Sequence, residues 1–219
     1  MKTNYQSAAD CPGVLPVFPL SGALLLPRGH MPLNIFEPRY LAMVDHTIGG
    51  HRLIGMVQPD GDPESRHPKL YGVGCAGRLV QFAESGDGRY LIALAGVARF
   101  SILDELSAAT PFRQCQVTFE AYEVDFQARA GEAEVDRNAV LTALRKFADF
   151  ASLKVDWKAI EEASNEPLVN ALSMMSPFGS REKQALLEAR DLRTRAEMLV
   201  AITEMEMAKS QDGPDTMLQ

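Results

Sequence analysis

The stretch Pro32-Leu33-Asn34-Ile35-Phe36-Glu37-Pro38-Arg39-Tyr40 passes from a strand pattern to a helix pattern within a few residues. Met31 to Phe36 predicts a short strand. Pro38 suits the first position of a helix, because its φ is already helical and its missing N–H would have no partner there. Glu37, just before it, is favourable near the positive end of the helix dipole. Helical spacing continues through Tyr40, Leu41, Val44 and Ile48, and Gly49-Gly50 ends the helix.

The apolar segments on either side of this stretch predict further strands. Residues 14–20 are extended, and Pro16 and Pro19 restrict them to an edge or entry strand. Later strands are predicted over 52–57, 72–82, 90–94, 97–103 and 112–122, with a tight turn at Ala95-Gly96. Several short strands with one early helix indicate a small, partly closed β-barrel.

The composition of the chain changes near residue 120. Residues 1–119 hold 23 of the 29 glycines and prolines, which punctuate strands and turns and are excluded from long helices. Beyond residue 122 apolar residues recur at helical intervals, and a last helix, straight or bent, is predicted from an N-cap at Ser180 through Met207. We therefore predict an α+β protein with a β-barrel subdomain at 12–122, a helical bundle subdomain at 123–209, and flexible termini at 1–11 and 210–219.

The net charge of −7 comes from the second segment. Residues 120–219 carry 12 basic and 19 acidic side chains, whereas residues 1–119 are balanced. This acidity argues against a nucleic-acid binder that works by neutralising phosphates. The sequence has no run of 18 apolar residues and no cleavable signal pattern, so we expect no membrane span and a cytoplasmic location. The cysteines are odd in number and widely spaced, which is not the pattern of a secreted disulfide framework.

Several patterns resemble catalytic or cofactor motifs but lack the context that such motifs need. Gly72 to Gly77 matches G-x-G-x-x-G, yet a strand pattern follows instead of a helix, so we interpret these glycines as easing a bent strand. The loop residues Asp60, Asp62, Glu64 and His67 lack the glycine of a calcium loop. The sequence contains no P-loop, no G-x-S-x-G and no zinc-finger spacing. We therefore expect no cofactor, no metal and no catalytic activity.

The predicted last helix has a broad apolar face made of two rows. The rows are Leu192-Ala196-Leu199 and Met198-Ile202-Met205. This pattern allows two interpretations. Either both rows pack into the core of the protein, or the row Met198, Ile202 and Met205 is exposed and makes adaptable contacts with a polypeptide.

The chain resembles the Lon protease N-terminal domain family in several stretches that occur in the same order. These stretches are Leu15 to Leu20, Leu26-Pro27, Pro32 to Tyr40, Gly72-Val73-Gly74, Gly96 to Phe100 and Glu182 to Glu188. The string Ile35-Phe36-Glu37-Pro38-Arg39-Tyr40 is the specific part, and the resemblance spans residues 14–207.

The resemblance implies a PUA-like β-barrel followed by a helical bundle, in a module similar to the substrate-recognition and assembly domain of full-length Lon. The family-motif residues, which we interpret as structural, are Pro19, Leu20, Phe36, Glu37, Pro38, Arg39, Tyr40, Gly96, Arg99 and Phe100. Arg39 and Tyr40 are expected to tie the early helix to the barrel by hydrogen bonds and ring packing. Arg99, in an apolar strand, is expected to pair with a carboxylate or with backbone carbonyls.

Two functions from different classes follow. The first is a stand-alone, non-catalytic LON-type module that binds unfolded or client polypeptides, or a protease partner such as full-length Lon, in protein quality control. The alternative is a small-ligand receptor with a pocket between the barrel and the helices. The acidic second segment opposes the RNA binding found among PUA-like barrels. A peptidase would have to use an uncatalogued arrangement, because neither a nucleotide motif nor a Ser-Lys dyad is recognisable.

Overall fold

Strands dominate the chain up to residue 118, and helices dominate it from residue 137 onward. A computed structural model describes residues 5–61 and 67–211. The strands are β1 (Val14–Pro19), β2 (His30–Ile35), β3 (Leu53–Val57), β4 (Pro59–Asp60), β5 (Lys69–Leu70), β6 (Val73–Glu84), β7 (Tyr90–Leu106) and β8 (Gln114–Thr118). The α-helices are α1 (Pro38–Gly49), α2 (Arg137–Phe150), α3 (Trp157–Glu162), α4 (Asn165–Met175), α5 (Ser180–Glu188) and α6 (Leu192–Gln211). Short 3-10 helices lie at Ala8–Asp10, Glu120–Phe126 and Glu132–Glu134.

Six of the strands form one mixed sheet in the order β2-β7-β6-β3-β1-β8. The β1–β3 pair is parallel and the other pairs are antiparallel. The long strand β7 also pairs with β8, which curls the sheet back on itself. The predicted α+β class with one early helix is therefore confirmed. The sheet is partly closed and does not form a complete barrel.

The predicted turn at Ala95-Gly96 is wrong, because β7 runs without interruption from Tyr90 to Leu106. Gly96 is needed instead for close approach. Its N–H donates to the Gly29 carbonyl and its carbonyl accepts from the Arg28 N–H, both at 2.8 Å. A Cβ at residue 96 would overlap the carbonyl oxygen of Leu26. The glycine thus lets the chain before β2 lie directly on β7.

The predicted single helix from Ser180 through Met207 is divided in the structure. Helix α5 starts at Ser180 with Gly179, not Ser180, as its N-cap, and it ends at Glu188. Helix α6 starts at Leu192, and the Asp191 side chain accepts the Thr194 N–H at 2.7 Å. An aspartate in this position satisfies a free donor of a new helix, which explains the break.

The core joins the strands to the helices. One cluster of buried apolar side chains includes Phe18, Leu26, Met43 and Leu94 of the first segment, and also Leu168, Val169, Leu186 and Leu199 of the second. A smaller cluster within the sheet centres on Leu15, Val17, Phe100 and Val117. The 3-10 helix Glu120–Phe126 crosses the proposed boundary at residues 122/123. Among the residues described, no helix combines the length and apolar character that a membrane crossing requires.

Candidate functional site

The start of α1 is built as the sequence predicts. Glu37 is the N-cap and Pro38 is the first helical residue. The Tyr40 ring packs on Phe18 of β1, with ring centroids 4.1 Å apart, and this contact fixes the helix to the sheet. The Arg39 guanidinium lies 4.6 Å from the centre of the Tyr40 ring and bonds the Glu37 carboxylate at 2.8 Å. Arg39 thus pairs within the helix start and does not reach across to a strand partner.

A groove of about 750 Å³ opens beside this helix start. Its walls include Pro19, Arg39, Tyr40, Glu105, Phe112 and Arg113. Burial raises the pKa of the Tyr40 hydroxyl, an effect that Arg39 partly offsets, so the hydroxyl is neutral at physiological pH. The Arg113 guanidinium bonds the Glu105 carboxylate at 2.5 Å and the Pro68 carbonyl at 2.9 Å. The arginines of the groove are therefore already paired with carboxylates.

The other motif residues lie inside the sheet. Leu20 follows β1 and packs against the larger core cluster. The Phe100 ring fills a slot left by two glycines, since a Cβ at Gly74 or Gly55 would come within 2.6 or 2.8 Å of it. Gly74 belongs to the G-x-G-x-x-G pattern, and β6 runs through this pattern as a strand. Close packing, and not a dinucleotide, accounts for this glycine.

Arg99 is the most buried charge of the sheet, with 1% of its surface exposed. Its Nε and Nη2 donate to the two carboxylate oxygens of Asp125, each at 2.8 Å. Its Nη1 donates to the carbonyls of Ala189 and Leu187 at 2.5 and 3.2 Å. The expectation of carboxylate and carbonyl partners is confirmed. Burial alone would lower the pKa of Arg99, but bonding to Asp125 raises it, so the guanidinium stays charged.

Exposed apolar side chains collect at the end of the sheet where β2 and β6 finish and β7 begins. Phe36, Phe82 and Leu91 are 62%, 45% and 51% exposed, and Val80 is also exposed. Phe36 follows Ile35, which pairs with Tyr90, and Leu91 pairs with Ala83, so these residues are neighbours. Phe82 and Leu91 project from opposite faces, because Phe82 pairs with Ile92, the residue after Leu91. We call Phe36, Val80, Phe82 and Leu91 the apolar sheet end.

No sequence motif marks Val80, Phe82 and Leu91 as a site. The usable signal is the consecutive pair Leu91-Ile92 next to a hairpin, because neighbouring residues of a strand face opposite sides. Ile92 is buried, so Leu91 has to point outward. Whether Leu91 or Ile92 is exposed to water depends on how the whole sheet packs, and the sequence of the strand alone does not determine this.

The row on α6 has a divided environment. Met198 and Ile202 are partly buried and pack against the larger core cluster. Met205 is 57% exposed. Nearby, Lys146 of α2 lies 3.8 Å from Glu204. The structure therefore leaves Met205, near one end of α6, as the member of the row that is open to contact.

No group of three or more histidine, cysteine or acidic side chains within 5–61 and 67–211 is placed to hold a metal ion. Of the loop residues named above, Asp62 and Glu64 lie outside the described residues. His67 bonds the Glu105 carboxylate at 3.1 Å at the edge of the groove. The described side chains thus offer no assembled site for a metal ion.

Comparison with known proteins shows which family this chain is similar to. The profile of the ATP-dependent protease La (LON) substrate-binding domain matches residues 14–204. A Lon protease of Anaeromyxobacter dehalogenans is 26% identical over 88% of the chain, and a Lon protease 2 of Sorangium cellulosum is 27% identical over 94%. The chain spans 23% and 26% of the length of these two relatives.

Two solved structures share the fold. A Lon N-terminal domain protein from Xanthomonas campestris has a TM-score of 0.61 and 21% identity, covering 86% of this chain and 97% of its own. The N-terminal domain of a Mycobacterium avium complex Lon protease has the same TM-score and 17% identity, covering 87% and 98%. With nearly the whole chain matched both in sequence profile and in fold, this protein belongs to the LON substrate-binding domain family.

Proposed function

We propose that this protein is a non-catalytic module that binds apolar segments of unfolded or client polypeptides at the apolar sheet end. The observation that carries the proposal is the exposure of Phe36, Phe82 and Leu91 at one end of the sheet. Phe82 and Leu91 lie on opposite faces of the strands, so the apolar side chains surround this end of the sheet from both faces. Exposed apolar side chains that gather in one place are typical of interaction sites, whereas isolated ones are common on any surface. The family description, a substrate-binding domain, supports a binding role.

The arrangement suits an extended and variable partner. A shallow concave surface of about 860 Å³ lies over β2, β6 and β7, and its lining includes Leu33, Val80, Phe82 and Leu91. Complete burial of one such side chain is worth about 1.5–3 kcal/mol, from which the costs of association are subtracted. A few partly buried side chains therefore give micromolar or weaker affinity, which allows rapid release.

The test is titration of the ¹⁵N-labelled protein with a permanently unfolded polypeptide, such as reduced and carboxymethylated lactalbumin. We expect amide shifts concentrated in β6, β7 and the residues around Phe36. Phe82→Ser and Leu91→Ser should each weaken binding at least about fivefold, because about 1 kcal/mol of apolar contact is lost. Leu103→Ser is the matched control, since Leu103 is an exposed leucine elsewhere on β7.

Two results would overturn the proposal. One is the absence of shifts with any unfolded polypeptide. The other is an equal loss of affinity in the Leu103→Ser control. Shifts centred on Met205 would instead favour the α6 row of Met198, Ile202 and Met205 as the contact surface.

We further propose that the module acts in cytoplasmic protein quality control by bringing such polypeptides to a protease, full-length Lon included. The support is its similarity to the part of Lon proteases that it matches. The test is whether the purified chain binds purified full-length Lon and changes the rate at which Lon degrades an unfolded protein. If the chain neither binds Lon nor changes the rate of degradation, the proposed protease partner is ruled out, and the polypeptide-binding proposal is unaffected.

A further inference from the structure

A cavity of about 270 Å³ lies where the sheet meets the helices. Its lining includes Arg28, which precedes β2, and the Arg99–Asp125 pair. Glu166 of α4, the first turn of α6 and Arg195 of α6 also line it. None of the four residues of the apolar sheet end lines this cavity, so the site is separate from the proposed polypeptide-binding surface.

The carboxylates around this cavity are already paired with other groups. Asp125 accepts two hydrogen bonds from the Arg99 guanidinium and one from the Arg99 backbone N–H. Glu166 accepts from Arg28 Nε at 2.9 Å and from the Arg129 N–H at 2.7 Å. Asp125 and Glu166 are near enough to favour the charged form of Arg195, but neither is hydrogen-bonded to it. The buried charges of Asp125 and Glu166 are therefore matched without Arg195.

Arg195 is a buried cation whose bonded partners are neutral. It is 4% exposed and donates to the Leu186 carbonyl at 2.9 Å and to Asn170 Oδ1 at 3.0 Å. Its Nη2 is the buried polar side-chain atom that has no hydrogen-bond partner among the described residues. Burial, reinforced by the charge of Arg99, lowers the pKa of Arg195 to about 10, which leaves it charged at neutral pH. A buried guanidinium with neutral hydrogen-bond partners and one unpaired donor favours binding of an anion.

The first turn of α6 adds to this preference. Asp191, Leu192 and Arg193 line the cavity at the helix N-terminus. The first N–H groups of a helix lack partners within it, and the helix dipole favours negative charge there. The Asp191 carboxylate is itself bonded to the Thr194 N–H, and bonding to Thr194 lowers its pKa. Glu134 remains as a further carboxylate of the lining and disfavours ligands with several charges.

We propose that this junction cavity binds a small oxyanion, the phosphate or carboxylate group of a compact ligand, through Arg195 and the first turn of α6. A guanidinium presents planar donors that match the oxygens of either group. The volume suits a small molecule and not a peptide or a nucleotide. The site makes the protein responsive to a small anion at the contact between its strands and its helices.

The test is calorimetric titration of the full chain with sodium phosphate and, separately, with sodium acetate, against sodium chloride at matched ionic strength. We expect saturable binding of phosphate or acetate beyond the chloride control, and the arm that saturates identifies the group. Arg195→Lys keeps the positive charge and removes the planar donor set, so it should weaken binding about tenfold. Arg145→Lys, at an exposed arginine of α2 outside the cavity lining, should leave affinity within about twofold.

Amide spectra of the wild-type protein provide a second measurement that needs no variant. Shifts on addition of the anion should concentrate on Ala130, Gly131, Leu192 and Arg193, which line the cavity. Binding no stronger than that of chloride would overturn the proposal, and so would affinity unchanged in folded Arg195→Lys. If that variant does not fold, shifts spread over surface lysines and arginines instead of the cavity lining would overturn it.

Discussion

Arg99 of β7 and Asp125 of the 3-10 helix Glu120–Phe126 form a buried pair with two hydrogen bonds, Nε to Oδ2 and Nη2 to Oδ1, each 2.8 Å long. Asp125 Oδ2 also accepts the backbone N–H of Arg99 at 2.9 Å. The same guanidinium reaches the carbonyls of Leu187 and Ala189 at the end of α5. One ion pair thus joins the sheet, the connection between the two segments, and the helices.

The first prediction concerns this pair. Asp125→Asn keeps the size of the side chain but leaves the Arg99 charge buried without a counter-ion. Removing one partner of a buried ion pair costs about 3–5 kcal/mol of folding stability. Urea denaturation followed by circular dichroism measures the change. We expect the sheet and helices to lose stability together in a single transition, since the pair connects both.

The control is Glu197→Gln, which removes the exposed Arg193–Glu197 pair on α6. An exposed pair in water contributes little to stability, so this variant should unfold close to the wild-type midpoint. Equal losses of folding stability in the two variants would contradict the prediction, because they would show that the buried Arg99–Asp125 pair contributes no more than an exposed one.

The second prediction concerns Gly96. Gly96→Ala should destabilise the fold by about 1–3 kcal/mol, because the added Cβ meets the carbonyl oxygen of Leu26 in a close-packed region. Gly86→Ala is the matched control, since a Cβ there meets no atom within 4 Å. Thermal unfolding of the two variants measures the difference. A Gly96→Ala variant as stable as the control would mean that the chain before β2 moves away without loss.

Local sequence patterns were sufficient where one residue's own chemistry decides the structure. Glu37 and Pro38 begin α1 as predicted, since their preferences concern only the helix start. Arg99 required an acceptor wherever it was buried. Its partner was not predictable, because Glu120, Glu123 and Asp125 all lie in the same acidic stretch and only the tertiary packing selects Asp125.

The sequence led to wrong predictions where the same local pattern is compatible with two different structures. Gly96 suits both a turn and a close approach, and the sequence does not show that Leu26 lies against it. The apolar period continues across residues 189–191, so it did not reveal the break that the Asp191 cap makes between α5 and α6. Neither the apolar sheet end nor the junction cavity has a sequence motif, because each forms from segments that are far apart in the chain.

The third prediction concerns the pH dependence of stability. Bonding to Arg113 holds the pKa of Glu105 below its ordinary value of 4.5. A carboxylate with a lowered folded-state pKa stabilises the fold above its unfolded pKa, and that stabilisation is lost as the pH falls through the folded pKa. Glu105→Gln should therefore be less stable than wild type at pH 7, and the difference should shrink below about pH 4.5.

Denaturation midpoints from pH 7 down to pH 3 measure this effect. Arg113→Gln removes the partner and should flatten the curve in the same way. The double variant should lose less stability than the sum of the two single changes, because both single changes remove the Glu105–Arg113 pair. A Glu105→Gln curve parallel to the wild-type curve over the whole interval would contradict the role given to this pair.

The fourth prediction separates the three thiols. Burial raises the pKa of the Cys75 thiol far above its ordinary value. Burial, reinforced by the charge of Glu105, raises the pKa of Cys115 to about 11. Since the thiolate is the reactive form, about one Cys115 in a thousand is reactive at pH 8, and both side chains are also buried. Cys11 is partly exposed, so a thiol reagent such as dithionitrobenzoate should modify it first.

The native protein should release one equivalent of the reagent's chromophore rapidly and two more only on unfolding. Cys11→Ser should abolish the rapid phase, whereas Cys115→Ser should leave it unchanged and reduce the slow phase to one equivalent. Asp125→Asn should speed up the slow phase, because Cys75 and Cys115 become accessible when the structure that this pair stabilises opens. Rapid modification of Cys75 in the native wild-type protein would contradict its placement in the core shared by the strands and the helices.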